Sequence, residues 1–572
     1  MNQIAIYYDQ SGYVETTAVS TQRAEQGPAG LMGREVAGHQ FLDALLQHGT
    51  WDELAAVVSG EKARRSLTQS CQNHPSSQGR TRRLRFFDAV RFPDQFLPTP
   101  PAPVLHFPNP ADPAYAWARQ TCPHRVAFSG VTHTLCTPRA VDVIRRLVTD
   151  PWEPYDRLIC TSSAVVNMVQ SVTNNYAEFL RDRFGGQPQA RIGLEQIPLG
   201  VNVDRFRPAT TEERTAQRRQ REIVDDELVV LFVGRLSHHA KAHPFPLLRA
   251  VQMAATRTSQ RLRLLMCGWF SSEPVANAFQ DAVRAVCPGV RVDFVDGLSA
   301  ENRSGVWKAA DVFVSLVDNI QETFGLVIVE AMASGLPVVA SDWNGYRDLV
   351  VPGETGFLIP TYAPSDAMPN LTLQLLTGEI NYDHFLARST QAVTVDCTAA
   401  ANALTELCQD AALRRRMGEA GRRRVLQTFD WQHVIRRYEA MWQEQDRQRN
   451  EYSSAATATS FVVPAAYPPI RHTFAGYPTR WLAEHERVWS RPDSGRRLGD
   501  MLSLPLMTHE PETRVTDQAT LAAALQLAES GPTIKALAQW LTGQGSSRQA
   551  ASNSIAWLLK YDLLHLADES GE

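Results

Sequence analysis

No run of about 18 consecutive apolar residues occurs in this 572-residue sequence, so no membrane-spanning helix is expected. Cysteine is sparse: Cys71, Cys122, Cys136, Cys160, Cys267, Cys287, Cys397 and Cys408 form no C-x-x-C pair and no cluster with histidine at zinc spacing. A disulfide framework is therefore not expected, and a reducing compartment is. The opening MNQIAIYYDQ lacks a basic stretch followed by an apolar one, so no secretory leader is expected. Neither charge sign dominates. The net charge of −4 is small for this size and excludes a whole-chain electrostatic argument for nucleic acid or membrane binding. No D-x-D triplet is present to anchor a nucleotide-bound divalent metal, and no internal repeat of 20–50 residues is found. The expected location is the cytoplasm, with the inner face of the membrane left open.

What is present is an ordinary core-forming composition, 44% hydrophobic and 21% charged, in a chain too long for one core. Short aliphatic runs alternate with helical patterns, the signature of α/β architecture with parallel sheets. QIAIYY, APVLHF, HRVAFSG and DRLICTS read as strands of a first half that closes with RIGLEQIPLGVNVDRFRP. The pattern restarts at LVVLFVGRL and continues through RLRLLMCGW, VRVDFVDG, DVFVSLV and LPVVAS. The expected organisation is a Rossmann-like domain over residues 1–205, a second over 206–430, and a helix over 431–449. A Ser/Ala/Thr/Pro-rich linker over 450–470 and an accessory helical domain over 471–572 complete it. Within the last, TIKALAQWLTGQGSSRQAASNSIAWLLKYDLLHL has the helix, turn, helix, strand order of winged-helix modules. From Arg514 to Glu572 there are only four basic side chains against six acidic ones, so DNA reading is disfavoured and a protein or acceptor contact is favoured.

The chemistry concentrates in QETFGLVIVEAMASGLPVVASDWNGYRDLV, where Glu330 sits among Val327, Ile328, Val329, Ala331 and Met332. A carboxylate in such company costs several kcal/mol unless a protein or ligand group satisfies it. A helix beginning near Thr323 would point its N-terminus at the C-terminal edge of a parallel sheet, where free N–H groups seat phosphate. Glu322 and Glu330 would then lie roughly 12 Å apart along one side, a span suited to holding two ends of a ligand rather than to paired acid/base work. In VGRLSHHAKAHP, Gly234 lets the chain turn, and Arg235 and Lys241 follow a strand and are available to clamp a diphosphate.

GRL…K followed by ETFGLVIVEAMASGLPVVAS resembles the retaining GT-B glycosyltransferases of family 4, over roughly residues 1–445. The resemblance implies two Rossmann-like domains facing across a cleft and transfer of a sugar from a nucleoside diphosphate sugar to an acceptor hydroxyl. It implies Glu322 near the donor sugar, Glu330 on the ribose, and Arg235 and Lys241 on the diphosphate. It also implies Gly33 of GLMGREVAG beneath the reacting centre and His133 of SGVTHTLCT pointing into the cleft. Thr323, Phe324, Gly325 and Leu326 at the helix mouth complete the expected donor contacts. No metal or cofactor is expected, in line with the metal independence usual for such enzymes. Three departures are plain: the Arg235-to-Lys241 interval is one residue longer than usual, Met32 precedes Gly33, and Asn344-Gly345 stands where two glycines are common.

Blander readings stand beside these. Glu330 alone would suit a structural ion pair, and His133 a satisfied strand-end residue. His238, His239 and His243 read as a solvated loop rather than a metal site. Gly27, Gly30 and Gly33 have G-x-x-G-x-x-G spacing, which does not fit a dinucleotide fingerprint. RTAQRRQRE and RRRMGEAGRRR read as solvated helix faces. The competing functions are a sugar-nucleotide epimerase, a glycogen-synthase-like polymerising enzyme, and a non-catalytic sugar-nucleotide sensor or scaffold. The acceptor, carbohydrate, lipid-linked or small, carries no readable code.

Overall fold

The structure, a computed structural model, describes residues 3–9, 13, 33–75, 83–122, 126–455, 465–509, 514–515 and 517–566. They form two compact units, residues 1–467 and 468–572.

The first unit contains two parallel sheets. One comprises β1 (Gln3–Tyr8), β2 (Glu53–Val58), β3 (Arg83–Asp88), β4 (Val104–Phe107), β5 (Ala127–Val131), β6 (Arg157–Cys160) and β7 (Gly193–Gln196), in the order β3-β2-β1-β4-β5-β6-β7. The other comprises β8 (Glu227–Val233), β9 (Arg261–Gly268), β10 (Arg291–Asp296), β11 (Val312–Ser315), β12 (Val338–Ser341) and β13 (Gly356–Ile359), in the order β10-β9-β8-β11-β12-β13. Central strands such as β8, β11 and β12 are continuous apolar runs because helices cover both faces. Strands β2, β3 and β13 escape the sequence reading. ELAAVV and GFLI are short and lack alternation, and RLRFFD carries two arginines at a sheet edge.

Each sheet reverses its winding at one point, between β1 and β4 in the first and between β8 and β11 in the second. Loops leaving two such strands diverge to opposite faces and open a crevice at their C-terminal ends. The two C-terminal edges face one another. The Ser162 hydroxyl beyond β6 donates to the Thr323 carbonyl beyond β11 at 2.7 Å. Ser163 donates through its backbone N–H and hydroxyl to Asp348 at 2.6 and 2.7 Å. This is the GT-B arrangement that the family resemblance implies.

The chain between the sheets returns on itself: the Val201 N–H donates to the Phe429 carbonyl at 2.8 Å. The helix that follows runs Trp431–Ala455, past residue 449. It packs on the first sheet, where the Trp442 indole donates to Ser129 at 3.1 Å and the Gln445 amide to the carbonyls of Phe128 and Tyr155 at 3.0 and 2.9 Å. A buried Arg119–Asp156 pair at 2.6 Å ties β5 and β6, with Asp156 also accepting from the N–H groups of Phe128 and Glu153.

The two arginine-rich runs are not simply solvated. Arg214 and Arg218 converge on Asp311, and Arg422 donates to the carbonyls of Val203, Phe206 and Ala333 at 3.1, 2.7 and 2.9 Å. Guanidinium groups there satisfy helix-end and loop carbonyls that would otherwise be stranded.

The second unit is small and mainly helical, with Gln518–Ala528, Ile534–Gly543 and Arg548–Lys560 around a core that includes Leu521, Leu525, Leu537, Leu541, Ile555 and Leu558. Leu564–Leu566 pairs antiparallel with Val488–Ser490. The helix, turn, helix, strand order read in the sequence is present. Among the described residues, no helix is long and apolar enough to cross a membrane.

Candidate active site

Arg235 and Lys241 follow β8, and Glu322 follows β11, so the winding reversal of the second sheet brings them together. Lys241 Nζ forms an ion pair with Glu322 Oε2, both side chains being more than four-fifths buried. The other carboxylate oxygen of Glu322 accepts from the N–H groups of Thr323 and Phe324 at 3.2 and 3.3 Å. Burial alone would raise the Glu322 pKa, but Lys241 and these two N–H groups outweigh it and hold the group below the ordinary carboxylate range.

The helix carrying Glu330 spans Leu326–Ala333, three residues later than expected. The reason is Gly325, whose φ of 106° is left-handed and cannot continue a helix backwards. Glu322 therefore stands in the preceding loop, and the helical rise and turn do not describe its relation to Glu330. A Cβ on Gly325 would come within 2.4 Å of the Tyr346 ring. Gly325→Ala is expected to lower stability by about 1–3 kcal/mol and to weaken ligand binding together, read as thermal midpoint and affinity of one preparation. A wild-type midpoint would show that this loop tolerates a Cβ.

Of the four helix-mouth residues, Phe324 turns its ring into the core, where it lies 6.4 Å from Phe429. Leu326 packs against the same core. The Thr323 carbonyl is engaged by Ser162, and no side chain caps the helix at Gly325. What Phe324, Gly325 and Leu326 offer a ligand is backbone N–H, not side chain.

Glu330 answers differently from Glu322. Among the described residues, its carboxylate has no hydrogen bond or ion pair. Burial pushes it up to about 7, against weaker attraction from Arg205, Lys241 and Arg303. A structural ion pair is thus not what holds it. Asp318, in the loop beyond β11, is also buried and pushed up to about 7, although it accepts from the His243 N–H at 3.2 Å.

Arg235 donates to Gln321 Oε1 at 2.8 Å and to the Ala240 carbonyl at 3.2 Å; burial lowers its pKa from the usual arginine value. Gly234 is not in a left-handed conformation. Its role is room, since a Cβ there would come within 3.2 Å of Lys241 Cε. His133 follows β5 on the facing sheet, and its Nε2–H donates to the Pro108 carbonyl at 2.8 Å. Gly33 opens the helix Gly33–His48, while Gly27, Gly30 and Met32 before it lie outside the described residues. Among the described residues, no group of three or more His, Cys, Asp or Glu side chains is placed to hold a metal ion.

Sequence reasoning missed Gln321 and Tyr382, and marked Asn344 only as a departure from the family pattern. Asn344, at φ 38°, donates to the Glu322 carbonyl at 2.8 Å. Asn tolerates positive φ better than most residues, which is how it stands where a glycine is common. The adjacency of Gln321 to Glu322 was the one available signal. Tyr382 comes from a separate excursion that no spacing rule reaches.

Residues 213–392, which carry Arg235, Lys241, Glu322 and Glu330, match the model of the glycosyl transferases group 1 family. A D-inositol 3-phosphate glycosyltransferase of Corynebacterium jeikeium is 30% identical over 290 residues, covering 50% of this chain and 68% of that protein. The chain belongs to the group 1 glycosyltransferases. The corresponding protein of Corynebacterium diphtheriae is 33% identical over 291 residues, covering 50% of this chain and 66% of its own length. The chain thus spans about two thirds of the length of these group 1 relatives. Among solved structures, sucrose-phosphate synthase from Thermosynechococcus elongatus aligns over 80% of this chain and 100% of its own, at 20% identity and a TM-score of 0.44. Anabaena HepE in complex with UDP and glucose aligns over 79% and 99%, at 15% identity and a TM-score of 0.46.

Proposed function

We propose that this group 1 glycosyltransferase moves a sugar from a nucleoside diphosphate sugar to an acceptor hydroxyl, with retention of anomeric configuration and without a metal. The observation that carries the reading is the meeting of Arg235, Lys241 and the uncapped helix mouth at Gly325 on one sheet edge, with Glu330, which has no hydrogen bond or ion pair among the described residues, on the same helix. Cations and free N–H groups together suit a diphosphate, and a carboxylate without protein donors suits ligand hydroxyls.

In this reading the diphosphate displaces part of the Lys241–Glu322 ion pair, and Glu322 turns its freed oxygen to the donor sugar. Arg235 and Lys241 stabilise the charge that develops on the leaving diphosphate. A departing diphosphate held there takes the acceptor proton on the face it leaves, so no enzymatic nucleophile is required. His133 lines the facing edge and contacts the sugar side. Contact between the two sheet edges excludes water and limits hydrolysis of the donor. The expected location is the cytoplasm. The relatives named for D-inositol 3-phosphate make that acceptor the first to assay.

The test is a thermal-shift screen of the whole chain against UDP-, GDP- and ADP-sugars and the free diphosphates, repeated on Glu330→Ala and Arg235→Ala. A shift confined to one nucleotide family and lost in both variants is expected, because a ligand that binds only the native state raises its midpoint by mass action. A folded protein that responds to none of them would overturn the proposal in favour of a scaffold. Product analysis with and without acceptor then separates transfer from epimerisation and polymerisation.

A further inference from the structure

Between β13 and the helix Cys397–Gln409 the chain makes an excursion closed by the antiparallel pair Thr361–Tyr362 and Thr394–Val395. It holds two short helices, Leu371–Leu376 and Tyr382–Gln391. Its small core of Leu371, Ile380, Phe385 and Leu386 packs on Ala240, from the Arg235–Lys241 loop, and on Ile320, from the Glu322 loop. Cys136, from the loop beyond β5 on the facing sheet, packs on the same cluster.

One hydrogen-bonded chain crosses this junction. Arg235 donates to Gln321 Oε1 at 2.8 Å, Gln321 Nε2 donates to the Tyr382 hydroxyl at 3.1 Å, and that hydroxyl meets Cys136 Sγ at 3.0 Å. The polarity is self-consistent. A guanidinium has only donors, so the Gln321 amide must turn its oxygen to Arg235 and its nitrogen to Tyr382. The Tyr382 oxygen then accepts, leaving its hydrogen for the sulfur. An arginine carries several rotatable bonds, and a fixed acceptor removes much of the entropy lost when it engages an anion.

We propose that Gln321 and Tyr382 are positioning residues that aim Arg235 at the diphosphate, and that Cys136 ties this aim to the apposition of the two sheets. The proposal rests on the reading of Arg235 as a diphosphate contact.

The experiment compares binding of UDP, GDP and ADP with that of the matching monophosphates, by titration calorimetry on the whole chain. The free-state thermal midpoint is recorded for each variant. The ratio of diphosphate to monophosphate affinity isolates the contact with the second phosphate, which a general loosening of the fold would not single out. Arg235→Ala serves as reference and should lower the ratio most. Tyr382→Phe and Gln321→Leu should each lower it about three- to tenfold, the range of one net hydrogen bond, with monophosphate affinity and midpoint near wild type. Cys136→Ala should lower it less, and Tyr382→Phe combined with Cys136→Ala should be no worse than Tyr382→Phe alone, because the two act in series. A wild-type ratio in both Gln321→Leu and Tyr382→Phe, with Arg235→Ala still lowering it, overturns the relay and leaves the clamp intact. An unchanged ratio in Arg235→Ala, or no nucleotide binding by the wild-type chain, overturns the clamp and the relay together.

Discussion

Lys241→Ala is expected to reduce kcat/KM for the donor by about 10²–10³-fold, the cost of removing one preorganised charge from a buried leaving-group site. Two losses combine. The diphosphate loses a cation in a setting where screening by water is weak. Glu322 loses the partner that keeps it ionised against its burial, and only the N–H groups of Thr323 and Phe324 remain. The pH dependence of stability should change accordingly. In the wild type the pKa of Glu322 lies below its unfolded value, so the group contributes stability that is present above that unfolded value and lost as pH falls through the folded one. In Lys241→Ala burial dominates and pushes the carboxyl up, so this contribution reverses sign. Lys241→Arg keeps the charge and should retain the wild-type dependence while losing part of the rate, because the guanidinium is larger and planar. Initial rates with the donor from the nucleotide screen, and thermal midpoints between pH 4 and 8, check both parts. A kcat/KM within about threefold of wild type would remove Lys241 from the chemistry.

The second large effect concerns Glu330, where stability and binding should move in opposite directions. Its carboxyl is pushed up to about 7, so the folded chain holds a proton there that the unfolded chain releases near 4.5. A carboxylate raised in this way makes the folded state less stable as pH climbs from about 4.5 to 7, by about 3 kcal/mol once the window is crossed. Glu330→Gln removes that dependence and should raise the free-state midpoint at pH 8. The same substitution should weaken nucleotide binding by about 10- to 100-fold, since hydrogen bonds to a charged acceptor contribute roughly 1.5–3 kcal/mol each. In the wild type, ligand hydroxyls favour the ionised carboxylate, so binding should release a proton below pH 7 and tighten up to tenfold per pH unit until it levels off above 7. Calorimetry in two buffers of different ionisation enthalpy reads the proton directly. Nucleotide affinity that is flat from pH 6 to 8, or unchanged in Glu330→Gln, would assign Glu330 a purely structural place.

The pair of glutamates shows how far local sequence carries. That two carboxylates stood near an apolar helix beside Arg235 and Lys241 was legible, because strand-then-loop patterns place loop residues on the C-terminal edge of a parallel sheet. Which of the two would be satisfied was not. Glu322 is satisfied by Lys241, 81 positions away, and by its own next two N–H groups; Glu330, on the same segment, finds no protein donor among the described residues. Nor was the true start of the helix legible. The left-handed turn at Gly325 is fixed by the Tyr346 ring, which leaves no room for a Cβ.

By itself, then, the sequence determined the α/β class, the two series of parallel strands, the cationic loop after β8, the acidic loop after β11 and the helical character of the C-terminal unit. Each follows from periodicity or from residue chemistry within about a dozen positions. Only the tertiary structure decided the partner of each charge, the excursion that carries Tyr382, and the carbonyl-bonded role of Arg422. Those depend on the order in which strands enter a sheet and on which loops that order brings together. Hydrogen bonds between residues scores of positions apart leave no trace in local spacing, because their geometry exists only once the chain has closed on itself.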